Sequence, residues 1–243
     1  MCSLCAPEFS RAVSRRAFLR TASGAALATL VPAMARAAAP PPADAPNAIS
    51  PADALKRLID GNARYAANQP NERDFSSGRA ARAERQHPIA AILGCADSRV
   101  APELAFDQGP GDIFAVRVAG NFVNDDGLAS FEYAVQVLGV PLVLVLGHTS
   151  CGAVDAAIKA LRNKDKLPGH LPDLVRAIKP AVVRAERARK GRDLLSDAIV
   201  ENVRLNVSRL QTAAPILKRF HDERRIQVIG AMYDLATGRV TLV

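Results

Sequence analysis

Two short clusters hold the residue types that do chemistry. The first is Cys95-Ala96-Asp97-Ser98-Arg99; the second is His148-Thr149-Ser150-Cys151-Gly152. Two cysteines and one histidine form a soft nitrogen-and-sulfur ligand set suited to Zn2+. Three protein ligands leave a fourth position open, and an open position is where zinc activates water; structural zinc sites usually close all four. Other readings of the thiols stand beside this one. Either cysteine alone is most simply a buried core thiol. Together they would form a disulfide in an oxidising compartment, or a redox couple, although Cys95 and Cys151 are not a C-x-x-C pair. Asp97 and Arg99 suit a carboxylate–guanidinium pair, because the rigid arginine fork matches a carboxylate.

Each cluster directly follows an apolar run. Pro88 to Gly94 leads into the first, and Pro141 to Leu146 into the second. Continuous apolar runs of this length predict strands buried on both faces. Ile113–Val118 and Ile226–Met232 predict two more strands, and Thr237-Gly238 turns the chain into a last stretch, Arg239–Val243. Ser50 as N-cap, Pro51 at the first helical position and Asp53 in the first turn predict a helix running to Tyr65. Helical spacing also predicts helices over Ser130–Leu138, Gly152–Leu161, Leu174–Ala188 and Leu194–Phe220, with a polar stretch over 68–87. Strands alternating with helices imply an α/β fold: a mostly parallel central sheet of four or five strands, flanked by helices. Ligands bind such sheets beyond the carboxyl ends of the strands, where both clusters emerge.

The chain has 243 residues, 49% hydrophobic and 23% charged, which excludes a disordered or fibrous protein. Aromatics are 5% and Trp is absent, so there is no stacking platform for single-stranded nucleic acid. Net charge is +8, but residues 1–37 hold Arg11, Arg15, Arg16, Arg20 and Arg36 against Glu8 alone. The rest is modestly basic and gives no case for nucleic acid. Ser14-Arg15-Arg16-Ala17-Phe18-Leu19-Arg20, the apolar stretch Thr21–Met34 and the small residues around Ala35 to Ala38 have the parts of an export signal. The arginine pair followed by Phe-Leu resembles the twin-arginine type. The apolar run is too short and alanine-rich to span a bilayer of roughly 30 Å, so no stable membrane anchor is expected. The expected organisation is a cleaved signal over 1–37, an Ala/Pro-rich linker over 38–49 and one domain over 50–243, located in a bacterial periplasm. Twin-arginine export carries folded proteins, which suits a metal loaded before export.

C-x-D-x-R followed by H-x-x-C-G resembles the β-class carbonic anhydrases. The likeness runs from about residue 50 to the end, through SRVAPELAFDQGPGDIFAVRVAGN, the helix with Glu132-Tyr133-Ala134, and GHTSCGAV. It implies reversible hydration of carbon dioxide to bicarbonate and a proton, with one Zn2+ per chain lowering the pKa of its water from 15.7 to about 7. Cys95, His148 and Cys151 match the family's protein zinc ligands, and Asp97 and Arg99 its catalytic dyad. Without Arg99, Asp97 swings onto the fourth zinc position, a closed state. Gln86 matches a substrate-orienting glutamine. Phe114, Ala119 and Tyr133 match residues lining the carbon dioxide pocket, Ala119 replacing a commoner Val, and the Gly152 N–H matches a donor to the bound anion. The resemblance also implies a homodimer or dimer-based oligomer, with the Ser50–Tyr65 helix packing on a second protomer and the Ile226–Met232 strand as the edge near that interface. With no Trp, no second, inhibitory bicarbonate site is expected. His87, His170 and His221 read as surface or loop residues. The alternatives are a hydrolase of carbon disulfide or carbonyl sulfide on the same scaffold, and a non-catalytic zinc-stabilised scaffold. Gln86, Asp97 and Arg99 together favour carbon dioxide.

Overall fold

The strands are Ala90–Gly94 (β1), Ile113–Arg117 (β2), Leu142–His148 (β3), Gln227–Tyr233 (β4) and Val240–Leu242 (β5), in a computed structural model that describes residue 45 and residues 47–188 and 193–243. The expected signal over 1–37 and most of the expected linker over 38–49 lie outside these residues. The sheet order is β2-β1-β3-β4-β5; the first four strands run parallel, and β5 is antiparallel to β4. The apolar runs of β1 and β3 follow from their place in the sheet: both are buried at every position. Alternate side chains go to opposite faces. Ala91, Leu93, Val143 and Val145 meet one layer, and Ala90, Ile92, Leu142 and Leu144 meet the other.

Parallel neighbours need crossovers, and helices supply them. The helices are Pro51–Ala66 (α1), Arg79–Glu84 (α2), Pro102–Ala105 (α3), Asp125–Gln136 (α4), Gly152–Asn163 (α5), Leu171–Ala188 (α6), Leu194–Thr212 (α7) and Ile216–Asp222 (α8). Phe131 of α4, Val203 and Leu210 of α7 and Phe220 of α8 fill the first layer, whereas Leu58 of α1 and Ala105 of α3 fill the second. A third cluster packs Val154 and Ile158 of α5 with Ile178 and Val182 of α6 around Cys95 and Cys151. Among the described residues no helix is long and apolar enough to cross a membrane.

Three expectations change. The fourth strand is not an edge: β4 lies between β3 and β5, and the edges are β2 and β5. The cause is the turn after β4, where the Asp234 carboxylate accepts from the Ala236 and Thr237 amides and folds the last residues back along it. The helical span 194–220 breaks at Pro215, which has no amide to donate, giving α7 and α8. Within the polar stretch 68–87 sits α2, too short to show an apolar period.

One face of α1, the helix expected to pack on a second protomer, is covered by its own chain. Ala54, Leu58, Gly61 and Asn62 are buried. A Cβ at Gly61 would fall 1.9 Å from the Phe106 carbonyl, so only glycine permits that approach. The Asn62 amide donates to the Ala105 and Gly238 carbonyls, both at 2.8 Å, and its oxygen accepts from Val240 N at 2.8 Å. Docking begins before α1 itself: Asn47 is buried and donates to the Leu138 carbonyl at 2.7 Å, and Ile49 packs on the second layer.

Candidate metal centre

The parallel register sets Gly94 beside Leu146, so the chain leaves β1 and β3 at the same end of the sheet. Cys95 is the first residue past β1, His148 is the last of β3, and Cys151 is the N-cap of α5. All three are buried, and the Sγ atoms and a ring nitrogen of His148 lie within 4.8 Å of one another. The turn carrying the second cluster is fixed from behind: Thr149 N donates to the Tyr233 carbonyl at 3.0 Å, and Thr149 Oγ1 accepts from Leu235 N at 3.0 Å. Ser150 takes a positive φ of 54° to bring Cys151 round.

The donor set fits zinc on four counts. His148 Nδ1 lies 2.9 Å from the Thr149 carbonyl; with the proton there, the Nε2 lone pair is free to ligate. Nε2 is itself buried with no hydrogen-bond partner, a cost that a cation at that point removes. Cys95 Sγ accepts the Gly120 N–H at 3.2 Å. Gly120 has φ +81° and would place a Cβ 2.6 Å from Ile178 Cδ1, so this donor requires glycine. Finally, the thiols cannot both ionise unaided. A hydrogen bond from Cys151 pulls the Cys95 pKa down, and the same contact, with burial, pushes Cys151 up against the pull of the Ala153 and Val154 amides at the start of α5. A divalent cation between the sulfurs resolves that conflict.

The dyad stands at the mouth of this buried group. Asp97 Oδ1 accepts from Arg99 N at 3.0 Å and Arg99 Nε at 2.9 Å, and Oδ2 accepts from Arg99 Nη2 at 2.7 Å. This fork holds the Asp97 carboxyl well below the usual carboxylate range. Asp97 Oδ2 lies 3.8 Å from His148 Nε2, and Arg99 Nη2 reaches the Ser150 carbonyl at 3.5 Å. Gly152 opens α5, and its N–H belongs to a first turn with no helical acceptor. Ala119 is partly buried beside Gly120.

Three expected pocket residues do not join the group within one chain. Phe114 pairs in register with Ala91, about 13 Å along the ladder from Cys95 at a strand's rise per residue. Tyr133 on α4 stacks against it, ring centroids 6.3 Å apart, and is 46% exposed. Gln86 is exposed in the segment before β1. Sequence reasoning missed the Gly120 amide, the Thr149 carbonyl and Asn202, whose Nδ2 donates to the Gly120 carbonyl at 2.8 Å. Main-chain donors and acceptors leave no residue-type signal, and Asn202 lies on α7, whose place over the site only tertiary packing reveals.

The carbonic anhydrase family profile matches residues 90–240. A carbonic anhydrase of Mycolicibacterium smegmatis is 40% identical over 194 residues, covering 79% of this chain and 93% of that protein. One from Pseudomonas aeruginosa is 35% identical over 202 residues, covering 76% and 86%. The solved β-carbonic anhydrase CcaA superposes with a TM-score of 0.61 at 28% identity, covering 78% of this chain and 87% of that one. With the profile spanning more than half of the sequence, and the ligand trio at the ends of β1 and β3, the chain belongs to the carbonic anhydrase family, in its β class.

Proposed function

We propose that this protein interconverts carbon dioxide and bicarbonate, using one zinc ion held by Cys95, His148 and Cys151. The convergence of these three buried ligand atoms beside an ionised Asp97 carries the reading. Zinc bound there makes water acidic near neutral pH and so provides a nucleophile. The side chains do the rest. Asp97, held ionised, is acceptor-only; it takes a hydrogen bond from the attacking water and orients its lone pair. Arg99 grips both carboxylate oxygens and holds Asp97 Oδ2 3.8 Å from His148 Nε2, which would keep the carboxylate from joining the three metal-binding side chains. The Gly152 N–H is placed to donate to a bound anion. Among the described residues three ligands rather than four converge, which disfavours a purely structural zinc.

Gln86, Phe114 and Tyr133 line the substrate pocket only if a second copy brings them there, and we place them in that role within a homodimer. Tyr133 is exposed with its ring against Phe114 of the edge strand β2, and Val137, one helical turn on, is exposed as well, which supports such a contact. The Ser14–Arg20 segment supports export of the folded protein to the periplasm. Stopped-flow hydration of carbon dioxide tests the activity: the zinc-loaded protein should turn over, and a chelator should abolish it. An inactive protein with one zinc per chain overturns the reading. Light scattering tests the dimer, and periplasmic fractionation of an Arg15→Lys/Arg16→Lys variant tests the export route.

A further inference from the structure

We propose that Arg117 is a positioning residue for the Asp97–Arg99 pair, a three-point brace on the loop that carries it; this rests on the carbonic anhydrase reading above. The dyad is held poorly by its own contacts outside the loop. The Arg99 side chain is 55% exposed, and its tie to the second cluster, at 3.5 Å, is long. The direction in which Asp97 points is therefore set by the backbone of Cys95–Val100.

That backbone is a tight turn in which Val100 N donates to the Asp97 carbonyl at 3.1 Å. The β1–β2 ladder holds one end of it, with Val118 N donating to the Gly94 carbonyl and Ala96 N to the Val118 carbonyl, both at 3.2 Å. Beyond Ala96 the ladder stops, and the turn's carbonyls need donors from elsewhere. Arg117 closes β2 in register with Gly94, so its side chain starts beside the loop. Its Nε donates to the Cys95 carbonyl at 3.0 Å, and its Nη2 to the Asp97 and Val100 carbonyls, both at 2.8 Å. One rigid fork thus fixes the metal-ligand residue, the dyad carboxylate residue and the buried far end of the turn. A lysine keeps the charge but has no planar fork to span three acceptors. Arg117 touches neither the ligand atoms nor the Asp97 carboxylate, so it acts through the placement of the loop.

Arg117→Met keeps most of the stem and removes the donors. It should lower kcat by about tenfold to a hundredfold, the order that small misplacements cost, with KM within about twofold of wild type. Zinc should stay at one per chain, and the amides of Ala96 and Val100 should exchange faster. The decisive readout is a double-mutant cycle. If Arg117 works through Asp97, then Arg117→Met should cost less than about twofold further in an Asp97→Ala background. An equal loss in both backgrounds, or loss of zinc in step with activity, overturns the proposal. Should Arg117→Met not fold, Arg117→Lys enters the same cycle, and wild-type kcat in that variant overturns it equally. A wild-type protein with no hydration activity sinks the parent reading; a fully active wild type with an unimpaired Arg117→Met variant sinks only the brace.

Discussion

Two aspartates ten residues apart on the same stretch of chain show how one pairing chemistry serves two ends. Asp97 and Arg99 pair across a single intervening residue at the mouth of the metal group. Asp107 is paired over long range. Its side chain is fully buried, and it accepts from Arg64 Nε at 2.6 Å, Arg73 Nη1 at 2.5 Å and Asn71 N at 3.2 Å, with Arg73 Nη2 also on its carbonyl. Both carboxyls sit below the ordinary range. For Asp97 the arginine hydrogen bond dominates; for Asp107 burial pushes the pKa up, and Arg64 and Arg73 outweigh it. The difference lies in what is lost on breaking each pair. An exposed pair contributes little to stability, so Asp97–Arg99 is held for its direction. A buried carboxylate gripped by two arginines is costly to uncouple, so the Asp107 cluster holds the fold.

The largest effect should come from the ligands beside the dyad. Cys151→Ser should drop zinc well below one per chain and lower carbon dioxide hydration by at least about a thousandfold, since a catalytic ion supplies several kcal/mol. Retained zinc and activity would remove Cys151 from the site. Next in size, Arg99→Ala should keep zinc and an unchanged Tm while kcat falls about a hundredfold, the order for losing a group that acts in the transition state. A large fall in Tm in that variant would erase the contrast with Asp107.

Asp107→Ala should do the opposite. It leaves two arginines facing a half-emptied cluster and should cost about 3 kcal/mol of stability, read by urea unfolding. Activity per folded, zinc-loaded molecule should be unchanged at low temperature. The pH dependence has a definite sign. The folded pKa of Asp107 is depressed, so its contribution is present above the unfolded carboxylate value and is lost as pH falls through the folded one. Wild type should therefore lose stability with acid more steeply than Asp107→Asn; parallel acid limbs would show that the cluster is not what acid titrates.

The same contrast explains what was legible in the sequence. The metal ligands and the dyad could be read because each sits at the end of an apolar strand or within five residues beyond it, and a strand's end fixes where the following turn emerges. The parallel sheet followed from the same runs. The Asp107 cluster had no such signature. Its partners come from α1 and from the loop after it, and only tertiary packing makes one aspartate of many a buried one. Arg117 was hidden for a related reason: it satisfies carbonyls, which every residue has. The misjudged edge strand arises at the chain's last turn, where Val240–Leu242 pair along β4 and Val240 N reaches the Asn62 oxygen on α1.

The smallest effect concerns a single neutral contact of α1. Tyr65 on α1 and Tyr233 at the end of β4 share a hydroxyl contact at 3.1 Å, an uncharged tie between the elements that flank the Asp107 cluster. Burial, then the Tyr65 hydroxyl, pushes the Tyr233 pKa from 10.0 up to about 12. The raised value means that the folded state keeps its proton while the unfolded chain gives it up. The contribution is therefore present below pH 10 and is lost as pH rises toward 12. Tyr65→Phe should cost about 1 kcal/mol at neutral pH, the net worth of one hydrogen bond, with no change in kcat. Tyr233→Phe should flatten the alkaline limb of the stability curve, because it removes the group that titrates. An alkaline limb as steep as wild type in Tyr233→Phe would assign that loss to other groups and leave the α1 contact resting on Asp107 and Asn62.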